Sequence, residues 1–544
     1  MNLKRILLCS AILITMAHSQ AHGQAGPIGS ITKAELKDHI YFLASDYMNG
    51  RVGPSAEYEI AAQYVASQFA AAGLEPAITA DDGSKSYMQG VPFTKTTYAG
   101  DLGWNIIKDG TETALLIKED FKILLGNKLS YDKMELVWTG YAIEEPGYDW
   151  DDFSGLDVEG KIIICISGAP LENGKPVLPA EIHERYTGSA GVQNKAMPML
   201  NKGAAGIIIA DIDGSSDLPY DIMPAGFEAE RYVYEGGEKN NSPGGAMPSV
   251  YLVKPGFIDV VMKGNECNPL SDPDNILENY KPQLLKGVSL SSSIEILEEI
   301  AITTNNVVGM VRGTDPVLKD EYIVVGAHLD HVKPVNGQIC NGADDNASGS
   351  AGVMEIAEAI AMSPCRRSVV FVTFTAEEMG LLGSRYFVSS GAFPKEQLKI
   401  NINLDMIGRS DPNNEESRAH YLITSKKYIS KLEAFIADTD KGITDFPLIY
   451  FDDQDSPGGS DHKSFISEGI PGFFFFSGAH KDLHMPGDDP EKIDYPKAES
   501  ISRLAFMIAT RLANADEFPE FEKTVLRGSQ TGPVCCRKKK LQAS

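Results

Sequence analysis

The sequence predicts an α/β fold, a mostly parallel central sheet flanked by helices, with a small β-rich unit inserted into it. Three features predict it. Past residue 300 the chain repeats strand, loop and helix, with apolar runs such as YIVVGA, SVVFVTFTA and INLDMIG. Residues 31 to 75 carry two helical patterns too small to make a domain alone, so they are expected to pack on that sheet. From about 115 to 295 the texture changes to short β-branched runs broken by Gly, Pro and Asp, among them LVWTGYAI, KIIICISG, AAGIIIAD and MPSVYLV.

In chain order, the start MNLKRILLCSAILITMAHSQAHGQA has a short basic region (Lys4, Arg5), an apolar run and then small residues, the pattern of an export leader over 1–24. Cys9 lacks the small residue that precedes a lipidated cysteine, and no later segment holds about 18 unbroken apolar residues, so no stable membrane anchor is expected. The patterns ITKAELKDHIYFLAS and SAEYEIAAQYVASQFAAAGLEP space apolar residues by three and four, the second ending on Gly-Leu-Glu-Pro. The expected division is a main α/β unit of 27–112 and 296–522, an insertion of 113–295, and a polar, basic, disordered tail of 523–544.

At 544 residues the chain is long enough for more than one core, and its net charge of -26 argues against a nucleic-acid or anionic-membrane partner. Beyond the leader, Cys165, Cys267, Cys340, Cys365, Cys535 and Cys536 show no disulfide-framework spacing. Cys165 reads as a buried small hydrophobe.

The chemistry lies at the strand ends. YIVVGA is followed by His328 and Asp330, SVVFVTFTA by Glu377 and Glu378, NINL by Asp405, and GFFFFSG by His480, Asp482 and His484. Open α/β sheets bind ligands at the carboxyl ends of their strands, so these groups are expected in one crevice. Asp344 and Asp345 precede a further helical pattern, where helix capping alone would explain one of them. Imidazoles and carboxylates gathered without a basic partner nearby in sequence repel unless a cation sits among them. Mixed ligation of this kind suits zinc, with cobalt or manganese as substitutes. Two zinc ions would be neutralised by three carboxylates and a bridging hydroxide, which favours a two-metal centre.

The segments GAHLDHV, NGADDNASGSAG, FTAEEMGLLGS, NLDMIGRS, GGSDHKSF and DLHMPGDDPEKIDY, in this order, resemble the bacterial double-zinc aminopeptidases of metallopeptidase family twenty-eight. The resemblance implies a zinc-peptidase, phosphorylase/hydrolase-like fold, two zinc ions and peptide substrates. It implies that Asp345 bridges the metals, with His328 and Asp405 on one and Glu378 and His484 on the other, that Glu377 is the general base, and that Asp330 is the carboxylate that holds the His328 imidazole in one tautomer. The runs TGYAIEEPGYDWDDFSGLDVEGKIIICISG and KAMPMLNKGAAGIIIAD resemble the protease-associated domain often inserted in that family, a wall or lid for the cleft or a passive surface module.

Other residues receive lesser roles. His331 is expected to point away from Asp330 along an extended loop and to be structural. Asp461 and His462 resemble a segment that lines the family's site and are expected to support it without ligating. Arg409 is expected in a salt bridge and Cys340 as a packed thiol. Leu483 stands where many relatives have a tyrosine, leaving Tyr450 and Tyr495 as candidate phenols for the oxyanion. Competing readings are a carboxypeptidase, a glutaminyl-cyclase-like acyltransferase with one zinc, and a metal-free binding ectodomain. Arg366 and Arg367 precede a strand, away from the chemistry, so no arginine cluster marks a carboxypeptidase. Export to the periplasm or the medium completes the expectation.

Overall fold

The computed structural model describes residues 26–521 except 81, 127, 173, 188–190, 213–219, 221–229, 235–247, 263–280, 336, 411–417 and 454–458. The expected leader at 1–24, the tail at 523–544 with Cys535 and Cys536, and Cys267 lie outside the described residues. Two compact units divide the chain, one of Met1–Pro92 with Thr303–Ser544 and one of Phe93–Ile302.

In the first unit, helices α1 (Lys33–Leu43) and α2 (Ala56–Ala71) begin where Thr32 and Ser55 accept the backbone N–H of Glu35 and Tyr58. Gly73, at φ +82, follows α2 in the left-handed conformation that ends helices. Leu36, Ile40, Leu43, Tyr58, Val65 and Phe69 turn from these helices into the main apolar core, as expected, each burial contributing about 1.5–3 kcal/mol.

The strands are β1 (Met88–Tyr98), β2 (Ile296–Val311), β3 (Tyr322–His328), β4 (Ser368–Phe374), β5 (Leu398–Leu404), β6 (His420–Thr424), β7 (Leu448–Asp452) and β8 (Gly472–Phe476). Their order is β1-β2-β4-β3-β5-β8-β6-β7. The centre is parallel: Val325 of β3 pairs with Phe371 of β4 and Ile402 of β5, and β5 pairs in parallel with β8. All of β4 and β8 is buried, which explains their unbroken apolar sequences. The helices on the sheet include α3 (Gly349–Met362), α4 (Leu382–Ser389), α5 (Lys426–Asp440), α6 (His462–Ser467) and α7 (Tyr495–Asn514). From β3 the chain steps out to β4 and then back across β3 to β5, making the carboxyl end of β3 a switch point where ligand sites form.

The second unit has its own sheet, in the order Thr111–Leu116, Gly103–Lys108, Gln283–Ser293, Tyr131–Trp138, Ile162–Ile166, Gly206–Ala210, Val250–Val253 and Phe121–Leu125. The four strands from Tyr131–Trp138 to Val250–Val253 run parallel. Trp104 stacks on Phe121 at 3.7 Å in its core. The unit boundary after Pro92 differs from the sequence boundary at 112/113 because Gly103–Lys108 pairs with Gln283–Ser293 and Thr111–Leu116. Among the described residues no helix is long and apolar enough to cross a membrane.

Candidate metal centre

Beyond the ends of β3, β4, β5 and β8, the side chains of His328, Asp345, Glu377, Glu378, Asp405 and His484 come together. His328 Nε2 lies 3.3 Å from Asp345 Oδ1 and 3.3 Å from Asp405 Oδ1. The other oxygen of Asp345, Oδ2, lies 3.0 Å from His484 Nε2, which is 3.1 Å from Glu378 Oε2. One carboxylate therefore faces two donor sets, one with each oxygen. Glu377 joins His328 and Glu378, with the three ligand atoms within 4.8 Å of one another.

The local backbone makes this possible. After β4, Ala376 adopts φ +52, and the amides of Gly380 and Leu381 bond Glu377 O at 2.7 and 2.9 Å, folding the segment into a tight turn. A Cβ at Gly383 would collide with Thr375 O, so glycine is required where the turn closes on β4. Met406 (φ +54) and His484 (φ +55) also sit in the left-handed region beside or within the cluster. Ahead of α3, Asn346 Oδ1 accepts Gly349 N at 2.9 Å, so Asn346 and not Asp345 satisfies the helix start. Asp345 is thereby left to the cluster.

Four further groups fix the clustered side chains. The Asp330 carboxylate accepts the backbone N–H of Glu377 (3.0 Å) and of Glu378 (3.3 Å), while His328 Nδ1 meets the main-chain carbonyl of Asp330 at 3.1 Å. The imidazole is thus held by the Asp330 backbone, and the side chain instead holds the two-glutamate turn, which differs from the tautomer role expected of it. Asp488 accepts the amides of Asp344 and Asp345 at 3.1 and 3.0 Å. Arg409 pairs with Asp482 at 3.0 Å, bracing the loop that carries His484. Arg51 is buried and gives its guanidinium N–H groups to five carbonyls: Leu329 (2.8 Å), Leu43 (3.0 Å), Asn341 (2.6 Å), Gly342 (2.7 Å) and Asp345 (3.4 Å).

The electrostatics favour a cation. Burial would lower the His328 pKa, but Asp405 and Glu377 outweigh it and hold it well above the ordinary imidazole value. At His484 burial is likewise overcome, by hydrogen bonds to Asp345 and Glu378, which push it up to about 11. Burial and the neighbouring carboxylates raise Glu377 well above the usual range, and burial raises Asp330 and Asp461 to about 7. Positive charge is therefore favoured among these groups, and the donor set of imidazole and carboxylate, spaced at 3.0–3.3 Å, fits a divalent metal.

The remaining candidates separate clearly. His462 bonds Asp453 at 2.7 Å and stacks on Phe474, a packing role. His480 Nε2 lies 3.4 Å from Asp344 Oδ2, beside the cluster and not within it. Cys340 is buried with Sγ 3.8 Å from His484 O. Tyr495 donates to Pro490 O at 2.7 Å, and Tyr450 packs on the main core. Arg366 pairs with Asp315 and Arg367 with Glu321, at the opposite end of β4. His331 departs from expectation: its ring is buried with Nδ1 3.1 Å from Glu378 Oε1, inside the cluster. His328, Asp330 and His331 all turn toward one centre, which the alternation of an extended strand does not allow. Sequence reasoning also passed over Arg51 and Asp488. Arg51 had no readable signal because carbonyl partners leave no trace in sequence, whereas Asp488 in PGDDP lay within one of the segments that carry the family resemblance.

Fold and donor set together define an α/β protein with a polycarboxylate, imidazole metal-type site at a sheet switch point. Residues 306–509 match Peptidase family M28. The chain is 28% identical over 369 residues to leucine aminopeptidase 2 of Trichophyton rubrum, covering 60% of this chain and 70% of the relative. To the probable leucine aminopeptidase 2 of Trichophyton verrucosum it is 28% identical over 303 residues, covering 52% of this chain and 57% of the relative. The chain thus spans between 57% and 70% of the length of these two curated relatives. The aminopeptidase from Aneurinibacillus sp. strain AM-1 shares the fold, with a TM-score of 0.55 and 18% identity over 91% of this chain and 97% of that one.

Proposed function

We propose that this protein is a zinc-dependent aminopeptidase that uses two metal ions to hydrolyse amino-terminal residues from peptides. The observation that carries the reading is Asp345, whose two oxygens face different imidazoles, His328 and His484. His328, Asp345 and Asp405 would hold one ion, and Asp345, Glu378 and His484 the other. The Peptidase family M28 match and the relatives' names support a peptide-bond hydrolase acting at amino ends.

Bound zinc would acidify a water and polarise the scissile carbonyl. Glu377 would accept a proton from the attacking water and return it to the leaving amine, a role suited to a carboxyl whose affinity for protons is raised by burial and by the charges around it. Asp330 keeps Glu377 and Glu378 aimed in different directions by holding both their amides. An apolar group of Met406, Ile423, Phe474 and Phe476, with Leu483 against it, adjoins the ligands Asp405 and His484 in sequence. It would favour a substrate with an apolar first side chain. The reading includes export, on the leader at 1–24, and a protease-associated identity for the inserted unit, on its sequence resemblance.

The test is a panel of free and amino-blocked peptides assayed with zinc, with chelator, and after zinc is restored. Cleavage of free peptides should vanish with chelator and return with metal, fastest for leucine or phenylalanine at the amino end. Cleavage confined to blocked peptides, or indifference to chelator, would overturn the proposal.

A further inference from the structure

His484 has unlike neighbours in the chain. Leu483, before it, packs against the apolar group of Met406, Ile423, Phe474 and Phe476. Met485, after it, stays out of that group and is 48% exposed. A single exposed apolar side chain is ordinary on a protein surface. Met485 differs in its place and in how it is held. Among the described residues it is the exposed large apolar side chain that directly adjoins a member of the cluster. Its backbone is pinned: Met485 N bonds Asp482 O at 3.0 Å, Asp488 N bonds Met485 O at 3.2 Å, and Arg409 and Lys492 each hold the Asp482 carboxylate at 3.0 Å. A fixed turn beside the cluster thus presents an apolar side chain to solvent.

Successive side chains of an extended peptide point to opposite sides. When the first side chain of a bound peptide enters the apolar group on the Leu483 side of His484, the second is directed away from that group. On that other side Met485 supplies apolar surface. We propose that Met485 contacts the side chain of the second substrate residue, so that the protein selects peptides that are apolar at the second position as well as the first. This rests on the aminopeptidase reading above. Methionine suits such a contact, because its unbranched thioether chain adapts to aliphatic and aromatic partners alike. The preference is therefore for apolar character and not for one shape. A contact made equally with bound peptide and transition state lowers KM and leaves kcat as it was.

The experiment compares Leu-Gly with Leu-Phe as substrates of the full-length protein in excess zinc. For the unmutated protein the KM of Leu-Phe should be at least about threefold the lower, less than the ~10–200-fold that a methylene commands in an enclosed pocket, because Met485 covers one side only. Met485→Ala should raise the Leu-Phe KM by at least about threefold, with kcat and the Leu-Gly KM little changed, the mark of lost uniform binding. Met485→Leu, which restores an apolar side chain, should keep the preference. A smaller preference in the unmutated protein, or a smaller rise in Met485→Ala, overturns the proposal. So does an equal rise for Leu-Gly, or a loss in Met485→Leu as large as in Met485→Ala, since either would trace to a disturbed turn and not to an apolar contact. If the unmutated protein cleaves neither dipeptide, the aminopeptidase reading itself fails, which is a separate outcome.

Discussion

Both units build parallel strands from unbroken apolar runs, yet the residues just past those runs differ between them. In the second unit Ile162–Ile166 and Gly206–Ala210 are fully buried and lead into Ser167 and Asp211, where the Ser167 hydroxyl donates to Asp211 Oδ1 at 2.9 Å. That carboxylate has a neutral partner supplied by the neighbouring strand end. In the first unit the corresponding ends bring His328, Glu377, Glu378, Asp405 and His484 together, and the carboxylates bond mainly imidazoles whose affinity for protons they raise. A buried parallel strand is therefore only a scaffold. The balance of charge at its carboxyl end decides whether the site is closed by a hydroxyl or calls for a cation.

The largest test of this difference lies at Glu377 and Asp345. Glu377→Ala should keep its bound metal and lose turnover by on the order of 10²–10⁴, the usual contribution of a general acid–base group. Metal content by mass spectrometry beside kcat separates the two effects, and activity within threefold of the parent would remove Glu377 from the role. Asp345→Asn should instead release metal, since a neutral amide offsets no charge between the two donor sets.

Arg51 comes next. Five carbonyl acceptors need the planar fork of arginine, and burial already lowers the guanidinium pKa to about 10, a sign of how little solvent reaches it. Arg51→Lys keeps the charge but forfeits most of those bonds, each worth about 1.5–3 kcal/mol when one partner is charged. We expect the unfolding free energy of the metal-free protein to fall by at least about 3 kcal/mol in urea denaturation. An unchanged midpoint would mean the segments that follow His328 and carry Asp345 are held by other contacts.

The clustering of ionisable side chains at the strand ends was legible because ionisable residues directly after a long apolar run are anomalous, and several anomalies in one topology must converge. Arg51 and the true role of Asp330 were not legible, since both act on backbone groups that every residue possesses. His331 was misjudged because the alternation of extended chain was applied to a loop that does not stay extended. Asn346 shows the same lesson in reverse: a helix start next to Asp345 suggested a capping aspartate, and the adjacent asparagine takes that place. The unit boundary shifted because strand pairing between Gly103–Lys108 and Gln283–Ser293 is long-range and leaves no local mark.

Metal uptake should also be coupled to protons. The carboxylates hold the His328 pKa well above the ordinary imidazole value and push that of His484 up to about 11, so an incoming zinc must displace the His484 proton at pH 7. Zinc titration in weak buffer at pH 7 should therefore release protons, and apparent affinity should rise with pH by up to about tenfold per unit for each proton displaced. Affinity independent of pH between 6 and 8 would show that the imidazoles are already neutral.

The smallest effect belongs to the second unit. Asp211→Asn leaves a carbonyl that still accepts from the Ser167 hydroxyl. The expected cost is about 1 kcal/mol or less in unfolding free energy, with metal content and turnover unchanged. The substitution is chemically the same as Asp345→Asn. If the two variants lost metal or activity to a similar degree, the contrast between a strand end closed by a hydroxyl and one that calls for a cation would fail. A difference of two orders of magnitude or more would tie the chemistry to how the carboxylate is partnered, since the residue type and the atoms exchanged are common to both.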